Sequence, residues 1–189
     1  IGDFNAENIL SAVSAGITLN ISSKIIKRAV ERTDLIEGRM EIFRTRDEKN
    51  IVVDYAHTPD SYYKVLSMLK RLHSNQNKMH VLFGCGGNRD RAKRNDMGKI
   101  AAKFADKIWI TPDNPRFEDI EKINSQITKG IEKNKYEVFF HRQEGLEAAI
   151  KNIGSGDMLV VLGKGRESYQ IIDGVKIKYS DIEIIEKYL

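Results

Sequence analysis

Residues 79–91 read MHVLFGCGGNRDR, an apolar run that leads into a glycine-rich turn and then into charged residues. A short apolar run bounded by glycines predicts a buried strand. The spacing of apolar residues over 91–104 predicts a helix directly after the turn. The stretch is therefore typical of a strand–loop–helix unit, from which parallel α/β sheets are built.

The same alternation continues on both sides of this stretch, from Gly38 onward. It predicts a Rossmann-like α/β fold, with a mostly parallel sheet and helices on both faces. Two short apolar runs about Asp173-Gly174 predict a C-terminal β-hairpin, and a short final helix is expected over 181–188. The predicted strands are 41–45, 51–54, 79–84, 107–111, 136–140 and 158–162, and the predicted helices between them are 59–73, 91–104, 118–133 and 143–152.

Residues 1–38 differ from the rest because they contain no clear strand pattern. Apolar residues there recur at helical spacing, and two helices alone bury little surface. We therefore expect this all-helical segment to be the end of a preceding domain, with 39–189 as the second domain. A chain that opens with Ile1-Gly2 instead of Met also looks like a piece of a longer protein. The predicted helices cover 6–15 and 23–32, with Asn5 and Ser22 as their N-caps.

The composition excludes several classes of protein. The 189 residues carry 31 Lys and Arg against 27 Asp and Glu, a formal charge of +4 without a cationic stripe, so no nucleic-acid partner is expected. No apolar run reaches the roughly 18 residues of a membrane span. Cys85 is the single cysteine, which rules out an internal disulfide and favours a reducing, cytoplasmic location. Small anionic ligands such as phosphates or carboxylates fit this charge balance.

The loop after the strand at 51–54 carries polar side chains that helix capping does not explain. Thr58 and Pro59 suit the start of the next helix. Asp54 and His57 have no such explanation, and ligands of open α/β sheets bind beyond the carboxyl ends of the strands. We expect the aspartate to meet a ribose or a metal's water shell and the histidine to meet a phosphate.

The loop at 84–91 combines three glycines with Arg89. Three glycines at a strand-to-helix turn let the backbone approach a ligand, although the spacing is neither a dinucleotide fingerprint nor a Walker A loop. An arginine at the start of a helix opposes the helix dipole, so fold stability gives no reason for it. We expect its guanidinium to grip a carboxylate or phosphate, and Cys85 to be a packing residue.

The loops at 112–118 and 163–170 complete the set of strand-end motifs. Arg116 lies between a proline and a phenylalanine, where a rigid loop positions a fork-shaped donor well. Glu167 supplies a carboxylate that can pair with an ammonium group. The competing interpretation is purely structural, with Asn114 as an Asx-turn residue and Lys164 solvated. The four strand ends together indicate a site for a zwitterion beside a phosphate donor.

Five runs resemble, in order, the C-terminal domain of the Mur ligase family. The DYAH-type run alone is less specific, because folylpolyglutamate and cyanophycin synthetases have a similar one. The opening GDFNAEN resembles the end of that family's central ATPase domain. The five runs are GRME at 38–41, DYAHTPD at 54–60, GCGGNRDRAKR at 84–94, DNPR at 113–116 and GKGRESYQ at 163–170.

The resemblance implies an ATP-dependent amide-forming ligase of peptidoglycan synthesis that uses Mg²⁺ and an acyl phosphate intermediate. Its small-molecule ligands would be ATP, UDP-MurNAc-L-Ala-D-Glu and a diamino acid, meso-diaminopimelate, and its other partner would be the rest of its own polypeptide. By the same resemblance, the diamino acid would be bound by Arg89, Asn114, Arg116, Gly163 and Glu167, and the nucleotide by Asn5, Arg39, Asp54, Tyr55 and His57.

The sequence departs from the family in two ways. It contains no Walker A loop, no UDP-binding domain and no modified lysine for magnesium, so we expect ATP and Mg²⁺ to be held mainly by a missing central domain and this chain alone to be inactive. Asn88 stands where the family usually has Asp, and Arg166 where it usually has His. Arg166 in place of histidine leaves meso-lanthionine and L-lysine open as substrates. A folylpolyglutamate-type ligase would share the folding plan and the DYAH-like loop, but GCGGNRD and DNPR argue against it. A non-catalytic module that binds a nucleotide or amino acid is a further alternative.

Overall fold

The computed structural model describes residues 3–33, 36–73 and 76–189, with side chains from Asn5 onward in the first helix. The chain divides into two compact units, residues 1–36 and 37–189.

The first unit consists of α1 (Asp3–Thr18) and α2 (Ser23–Glu31). None of its described side chains is buried. Both predicted helices are confirmed, but the prediction that Asn5 caps the first one is wrong. Neither Asp3 nor Phe4 is a helix breaker, so the helix already begins at Asp3 and Asn5 lies inside it. Ser22 does occupy the N-cap of α2, although its side chain makes no capping hydrogen bond. Residues 1, 2, 34 and 35 of the predicted helical segment lie outside the described residues.

The second unit is built on a six-stranded sheet in the order β1-β2-β6-β3-β4-β5. Every neighbouring pair is parallel except β1 and β2, which are antiparallel. The mostly parallel sheet predicted from the sequence is therefore confirmed. The strands are β1 (Glu41–Arg44), β2 (Asn50–Asp54), β3 (Met79–Phe83), β4 (Lys107–Ile110), β5 (Tyr136–Val138) and β6 (Met158–Leu162).

Helices cover the sheet on both faces, as predicted. On one face Val53 packs with Leu146 of α6 and Ile185 of α7. On the other face the ring of Tyr62 on α3 lies edge-on to Phe83, with 5.2 Å between ring centroids. This double cover explains why the central strands are apolar on both sides. The helices are α3 (Pro59–Leu72), α4 (Ala92–Phe104), α5 (Ile120–Thr128), α6 (Arg142–Asn152) and α7 (Asp181–Ile185).

The predicted C-terminal hairpin is also confirmed, as β7 (Tyr169–Ile172) and β8 (Val175–Lys178), which form a separate two-stranded antiparallel sheet. The helix predicted over 118–133 is shorter in the structure. Asp119 caps α5 by accepting from the backbone N–H of Glu121, and the helix ends at Thr128. Gly130 follows with φ of +85°, a left-handed conformation that does not continue a helix.

Candidate functional site

The carboxyl ends of four neighbouring parallel strands, β2, β6, β3 and β4, lie side by side at one edge of the sheet. Each is followed by one of the polar motifs singled out in the sequence. The backbone joins these loops directly. The N–H of Gly163 donates to Asp54 O at 3.1 Å, and the N–H of Thr111 donates to Phe83 O at 2.9 Å. This edge brings the motifs together as the topology of an open α/β sheet requires.

Lys164 lies at the centre of this edge, with a fully buried side chain. Its ammonium donates to Glu167 Oε2 at 3.0 Å, to Asn114 Oδ1 at 3.3 Å and to the backbone oxygen of Tyr169 at 2.9 Å. It also lies 3.2 Å from Asp113 Oδ1. The interpretation of Lys164 as solvated is therefore wrong, because a buried ammonium needs partners and this one has them on three sides.

Glu167 uses only one of its two carboxylate oxygens in these contacts. Its Oε2 accepts from Lys164 and from Asn114 Nδ2, the latter at 3.1 Å. Its Oε1 accepts no hydrogen bond from the described residues, and the side chain is 20% exposed. A fixed carboxylate with one free oxygen at a pocket rim is suited to an ammonium ligand.

Asn114 also anchors Arg116, through its backbone oxygen. The guanidinium Nη1 donates to the backbone oxygens of Asn114 at 3.1 Å and Gly87 at 2.9 Å. Its Nε and Nη2 make no hydrogen bond with any residue that the structure describes. Their N–H groups are therefore available to bind an anion. Arg116 also has φ of +56°, an unfavourable conformation for a residue with a side chain, and such outliers cluster at functional sites.

The β7–β8 hairpin fixes the loop that carries Asn114 and Arg116. The N–H of Ile171 donates to Asn114 Oδ1 at 2.9 Å. The N–H of Arg116 donates to Ile171 O at 2.9 Å. The buried Gln170 side chain donates to the backbone oxygen of Asp113 at 2.8 Å. Both side chains proposed to bind a ligand at this loop therefore depend on the hairpin for their position.

Two of the three glycines in the 84–91 loop are explained by packing between loops. A Cβ at Gly84 would lie 1.9 Å from Thr111 O, and one at Gly87 would lie 1.8 Å from Pro115 O. Gly86 is different, because a Cβ there would lie 3.0 Å from Arg116 Nη1. Of the three, Gly86 is therefore the one that borders the candidate pocket.

Gly163 follows β6 with φ of +103°, a conformation that favours glycine. This turn starts the loop that carries Lys164 and Glu167. The residue thus contributes through its backbone, at the position where the family resemblance places a ligand contact.

Arg89 is exposed and lies before α4, which begins at Ala92. It forms no hydrogen bond or ion pair with the described part of the chain. Its neighbour Asn88 has φ of +53°, accepts from the N–H of Phe117 at 3.1 Å through Oδ1, and donates its own N–H to Glu118. Asparagine and aspartate both tolerate this backbone conformation and both offer an Oδ1 acceptor, so the structure gives no reason for Asn88 in place of aspartate.

Sequence reasoning missed the buried pair of Arg94 and Glu118 beneath this loop. The guanidinium of Arg94 donates to both oxygens of Glu118 at 2.8 Å and to Gly86 O at 2.9 Å. These contacts with Arg94 hold the pKa of Glu118 down at about 2. No sequence signal marks Arg94, since it belongs to a charged run typical of a solvated helix face.

The side chains expected to face a nucleotide form a second group at the same edge. The guanidinium of Arg39 lies over the ring of Tyr55, 4.8 Å from its centroid. The ring of His57 lies edge-on to Tyr55 at 5.1 Å, and Lys93 Nζ donates to His57 O at 2.8 Å. Burial raises the pKa of Tyr55, and the nearby carboxylate of Glu167 raises it further. The two groups of side chains are therefore neighbours.

Asp54 has a buried carboxylate that binds backbone. One oxygen accepts from the N–H of Ala56 at 2.7 Å and the other from the N–H of Met40 at 2.9 Å. Burial raises the pKa of Asp54, while these two donors oppose the rise. Asp54 thus fixes the residues next to Arg39 and Tyr55.

Arg166 points away from the Lys164 cluster. Its guanidinium pairs with both oxygens of Glu41, and its Nη1 lies 3.8 Å from Glu37. This pairing lowers the pKa of Glu41. The departure from the family's histidine therefore gives no reason for an altered diamino-acid pocket.

Within residues 3–33, 36–73 and 76–189, no three His, Cys, Asp or Glu side chains come together as a metal site. No described helix is long and apolar enough to span a membrane. Asn5 lies in the first unit, apart in sequence from all the groups above.

Comparisons with known proteins identify the family of the chain. The protein family described as "Mur ligase, glutamate ligase domain" matches residues 38–165 of the chain. The chain belongs to the Mur ligase family. Two curated relatives, from Rickettsia conorii and Chlorobaculum tepidum, are named UDP-N-acetylmuramoyl-L-alanyl-D-glutamate–2,6-diaminopimelate ligase and are 44% and 43% identical to it. These alignments cover 99% and 98% of the chain but only 38% and 37% of the relatives. The chain thus spans well under half the length of these Mur ligases.

Solved structures give the same result. A structure of a UDP-N-acetylmuramoyl-L-alanyl-D-glutamate–2,6-diaminopimelate ligase matches with a TM-score of 0.76 and 36% identity, over 100% of this chain and 38% of that one. A folylpolyglutamate synthase from Thermotoga maritima matches with a TM-score of 0.54 and 23% identity, over 75% of this chain and 31% of that one. The second likeness shows a shared fold alone.

Proposed function

We propose that this Mur ligase chain is the amino-acid-binding C-terminal domain of an ATP-dependent ligase that adds meso-diaminopimelate to UDP-MurNAc-L-Ala-D-Glu. In this proposal ATP phosphorylates the terminal carboxylate of the dipeptide and ADP leaves. The amine of diaminopimelate then attacks the acyl phosphate, and phosphate leaves as the amide forms. Because ATP and the nucleotide-linked dipeptide are cytoplasmic metabolites, the reaction belongs in the cytoplasm.

The observation that carries the proposal is the way Asn114 joins two opposite charges. Its backbone oxygen accepts from Arg116, and its side-chain amide donates to Glu167. A guanidinium with free N–H groups and a carboxylate with a free oxygen are therefore anchored to the same residue. The distal centre of diaminopimelate carries a carboxylate and an ammonium on one carbon, which match these two groups in sign.

The residues of this chain would bind and orient the diamino acid. Arg116, with Arg89 approaching from the neighbouring loop, would bind the distal carboxylate, and Glu167 would accept from the distal ammonium. The backbone of Gly163 and the side chain of Asn114 would complete the pocket. Holding the nucleophilic amine in place supplies rate enhancement through proximity and orientation.

The side chains of Arg39, Tyr55 and His57 would face ATP. A cation over an aromatic ring, with Lys93 beside it, fits an aromatic base or an anionic phosphate chain. Asp54 would act by holding the backbone on either side of this group. A Cβ at Gly165, in the loop of Glu167, would lie 3.2 Å from Tyr55 Cβ, and this close approach of the two loops supports a shared reaction edge for the two substrates.

The remaining parts of the reaction belong to the rest of the polypeptide. We propose that residues 1–38 are the helical end of a central ATPase domain, on which Asn5 would be on the nucleotide side, and that 39–189 form the C-terminal domain. Magnesium and most of the ATP contacts would lie in that central domain.

The test is the amino-acid preference of the full-length protein and of its Arg116→Ala variant. We expect kcat/KM for diaminopimelate to exceed that for lysine by on the order of 10³-fold, because lysine leaves buried polar groups unpaired. Arg116→Ala should lower diaminopimelate use strongly and lysine use little. Arg116→Lys should not rescue it, because an ammonium lacks the planar two-point grip.

Arg44→Ala is the matched control, since Arg44 is an exposed arginine on the edge strand β1. It should leave the preference unchanged. Meso-lanthionine should behave like diaminopimelate, because the two differ only in the spacer. An Arg116→Ala enzyme that keeps its preference for diaminopimelate over lysine would refute the proposed binding mode, and a wild type that prefers lysine or glutamate would refute the proposed substrate.

A further inference from the structure

Arg142 is a fully buried arginine at the first turn of α6 that no expectation from the sequence included. A cation at this end of a helix opposes the helix dipole, so helix stability does not account for it. Its guanidinium is fully occupied by partners from three other segments. These contacts are the starting point for a role beyond the pocket itself.

Two of its partners are the residues at which the pocket loops begin. Nη1 donates to Thr111 Oγ1 at 3.2 Å, and Nη2 donates to Leu162 O at 3.2 Å. Thr111 directly follows β4 and precedes the loop of Asn114 and Arg116. Leu162 ends β6 and precedes the loop of Lys164 and Glu167. One rigid guanidinium therefore sets the spacing between the roots of both loops.

The third partner is Asp181 at the start of α7, which is also fully buried. It accepts from Arg142 Nε at 2.9 Å and from Nη2 at 2.8 Å. The hydroxyl of Tyr179 donates to the same carboxylate at 2.7 Å. The N–H of Tyr179 in turn donates to Ser168 O at 3.1 Å, beside Glu167. The network thus returns to the pocket through the end of the hairpin.

The surrounding structure is shaped to admit this network. A Cβ at Gly145, one turn after Arg142, would lie 2.4 Å from Thr111 Cγ2, so α6 approaches Thr111 as closely as glycine allows. Burial opposes the charge on Arg142, but the carboxylate of Asp181 raises its pKa above the ordinary value. The Arg142 guanidinium therefore stays charged.

We infer that Arg142, held by Asp181 and Tyr179, is a positioning residue that sets the separation of the Arg116 and Glu167 loops and so determines affinity for the diamino acid. The inference rests on the proposed function for the identity of the ligand. Arg142 itself does not contact the ligand in this scheme. A buried ion pair is weak evidence for stability as such, which leaves this geometric role to be tested.

The experiment compares Asp181→Asn and Tyr179→Phe with wild type in the full-length protein. Asp181→Asn keeps the shape but removes the charge that orients the guanidinium, and Tyr179→Phe is the milder change. We expect KM for diaminopimelate to rise about tenfold or more in Asp181→Asn, since small misplacements of positioning groups cost up to 10²-fold. KM for ATP should change less than about threefold.

The control is Leu146→Ala, a buried residue of α6 in the core cluster that makes none of these contacts. KM for diaminopimelate is compared between Leu146→Ala and Asp181→Asn at an equal loss of melting temperature. Equal rises in KM for diaminopimelate in Asp181→Asn and Leu146→Ala would overturn the inference, because loss of stability would then explain both.

Amide hydrogen exchange gives a readout that does not depend on activity. In Asp181→Asn the amides of 112–117 and 163–168 should exchange about tenfold faster or more, while those of β3 stay protected. Unchanged exchange in both loops would overturn the inference even if the enzyme is impaired. A wild type that uses no diamino acid would instead refute the proposed function, and exchange would still decide the role of Arg142.

Discussion

Single buried charges define the candidate site at the residue scale. Lys164, Arg94 and Arg142 are each fully buried cations, and each is paired with a carboxylate from another loop or helix or from further along its own loop. Because a buried charge without its partner is costly, each pair fixes the relative position of two segments. The motifs are thus held in place by ion pairs beneath them.

The pair of Arg94 and Glu118 should make stability depend on pH. The pKa of Glu118 is held at about 2, below its ordinary 4.5. A carboxylate with a lowered pKa contributes stability that is present above the ordinary pKa and is lost as pH falls toward the lowered one. Glu118→Gln should therefore cost about 3 kcal/mol of unfolding free energy at pH 7, and the difference from wild type should shrink between pH 4.5 and 2.

Urea unfolding of both proteins across pH 3–7 measures this dependence. Glu137→Gln serves as control, because Glu137 pairs with Lys107 on the surface and is 50% exposed. It should cost less than about 1 kcal/mol at any pH. A constant difference between Glu118→Gln and wild type down to pH 3 would contradict the lowered pKa.

Arg166→His restores the residue usual in the family. Since Arg166 pairs with Glu41 on the surface, we expect this change to cost less than about 1 kcal/mol of stability. The ratio of kcat/KM for diaminopimelate to that for lanthionine should stay the same in the full-length protein. A ratio that shifts more than about tenfold would show that this position does reach the pocket.

The sequence singled out Arg116 and Glu167 as candidate ligand-binding residues, because neither the stiff loop nor the glycine turn gave them an evident structural role, and their binding role stays a prediction. The sequence did not reveal the buried ion pairs beneath them. Lys164 was open to the opposite interpretation, as a solvated lysine, because two of its four partners, Asp113 and Asn114, lie about 50 positions away in the sequence. Arg142 was invisible for the same reason, since burial of a charge depends on distant partners.

At the scale of elements, helices α4 and α5 pack closely against each other at Gly98. A Cβ at Gly98 would lie 2.1 Å from Ile127 O, a contact that no side chain can relieve. In an exposed helix a change from glycine to alanine stabilises by about 1 kcal/mol. At Gly98 the effect on stability should be the opposite, and we expect Gly98→Ala to destabilise the protein by about 2–3 kcal/mol.

Thermal and urea unfolding measure this change, with Lys99→Ala on the exposed face of α4 as control. The control should stay within about 0.5 kcal/mol of wild type. A Gly98→Ala protein that is more stable than wild type would show that α5 can move away from α4 at little cost.

The existence of nearly every helix and strand followed from local pattern, but the order of the strands did not. The hydrophobic runs predict that β6 is buried on both faces, but no local sequence pattern predicts that it lies between β2 and β3. That placement depends on pairing over more than 75 residues, from Val81 to Val160. The assignment of Asn5 as an N-cap was wrong because it rested on residue type alone. Neither Asp3 nor Phe4 breaks the helix, which therefore begins before Asn5.

At the scale of the whole chain, the two units differ in how much they bury. The unit of residues 37–189 has a core of fully buried strands, whereas no described side chain of residues 1–36 is buried. In the 189-residue chain, amides of α1 and α2 should therefore exchange at least about 10²-fold faster than those of β2, β3 and β6. Protection of α1 equal to that of β3 would contradict this expectation.

The hairpin that grips the Asn114–Arg116 loop follows the last strand of the six-stranded sheet, and it lies after residue 165, where the general family match stops. Its two strands form a sheet of their own, outside the strand order of the six-stranded sheet. A change confined to the hairpin would therefore reach the Asn114–Arg116 loop through the contacts of Gln170 and Ile171, while the strand pairing of the larger sheet stays as it is.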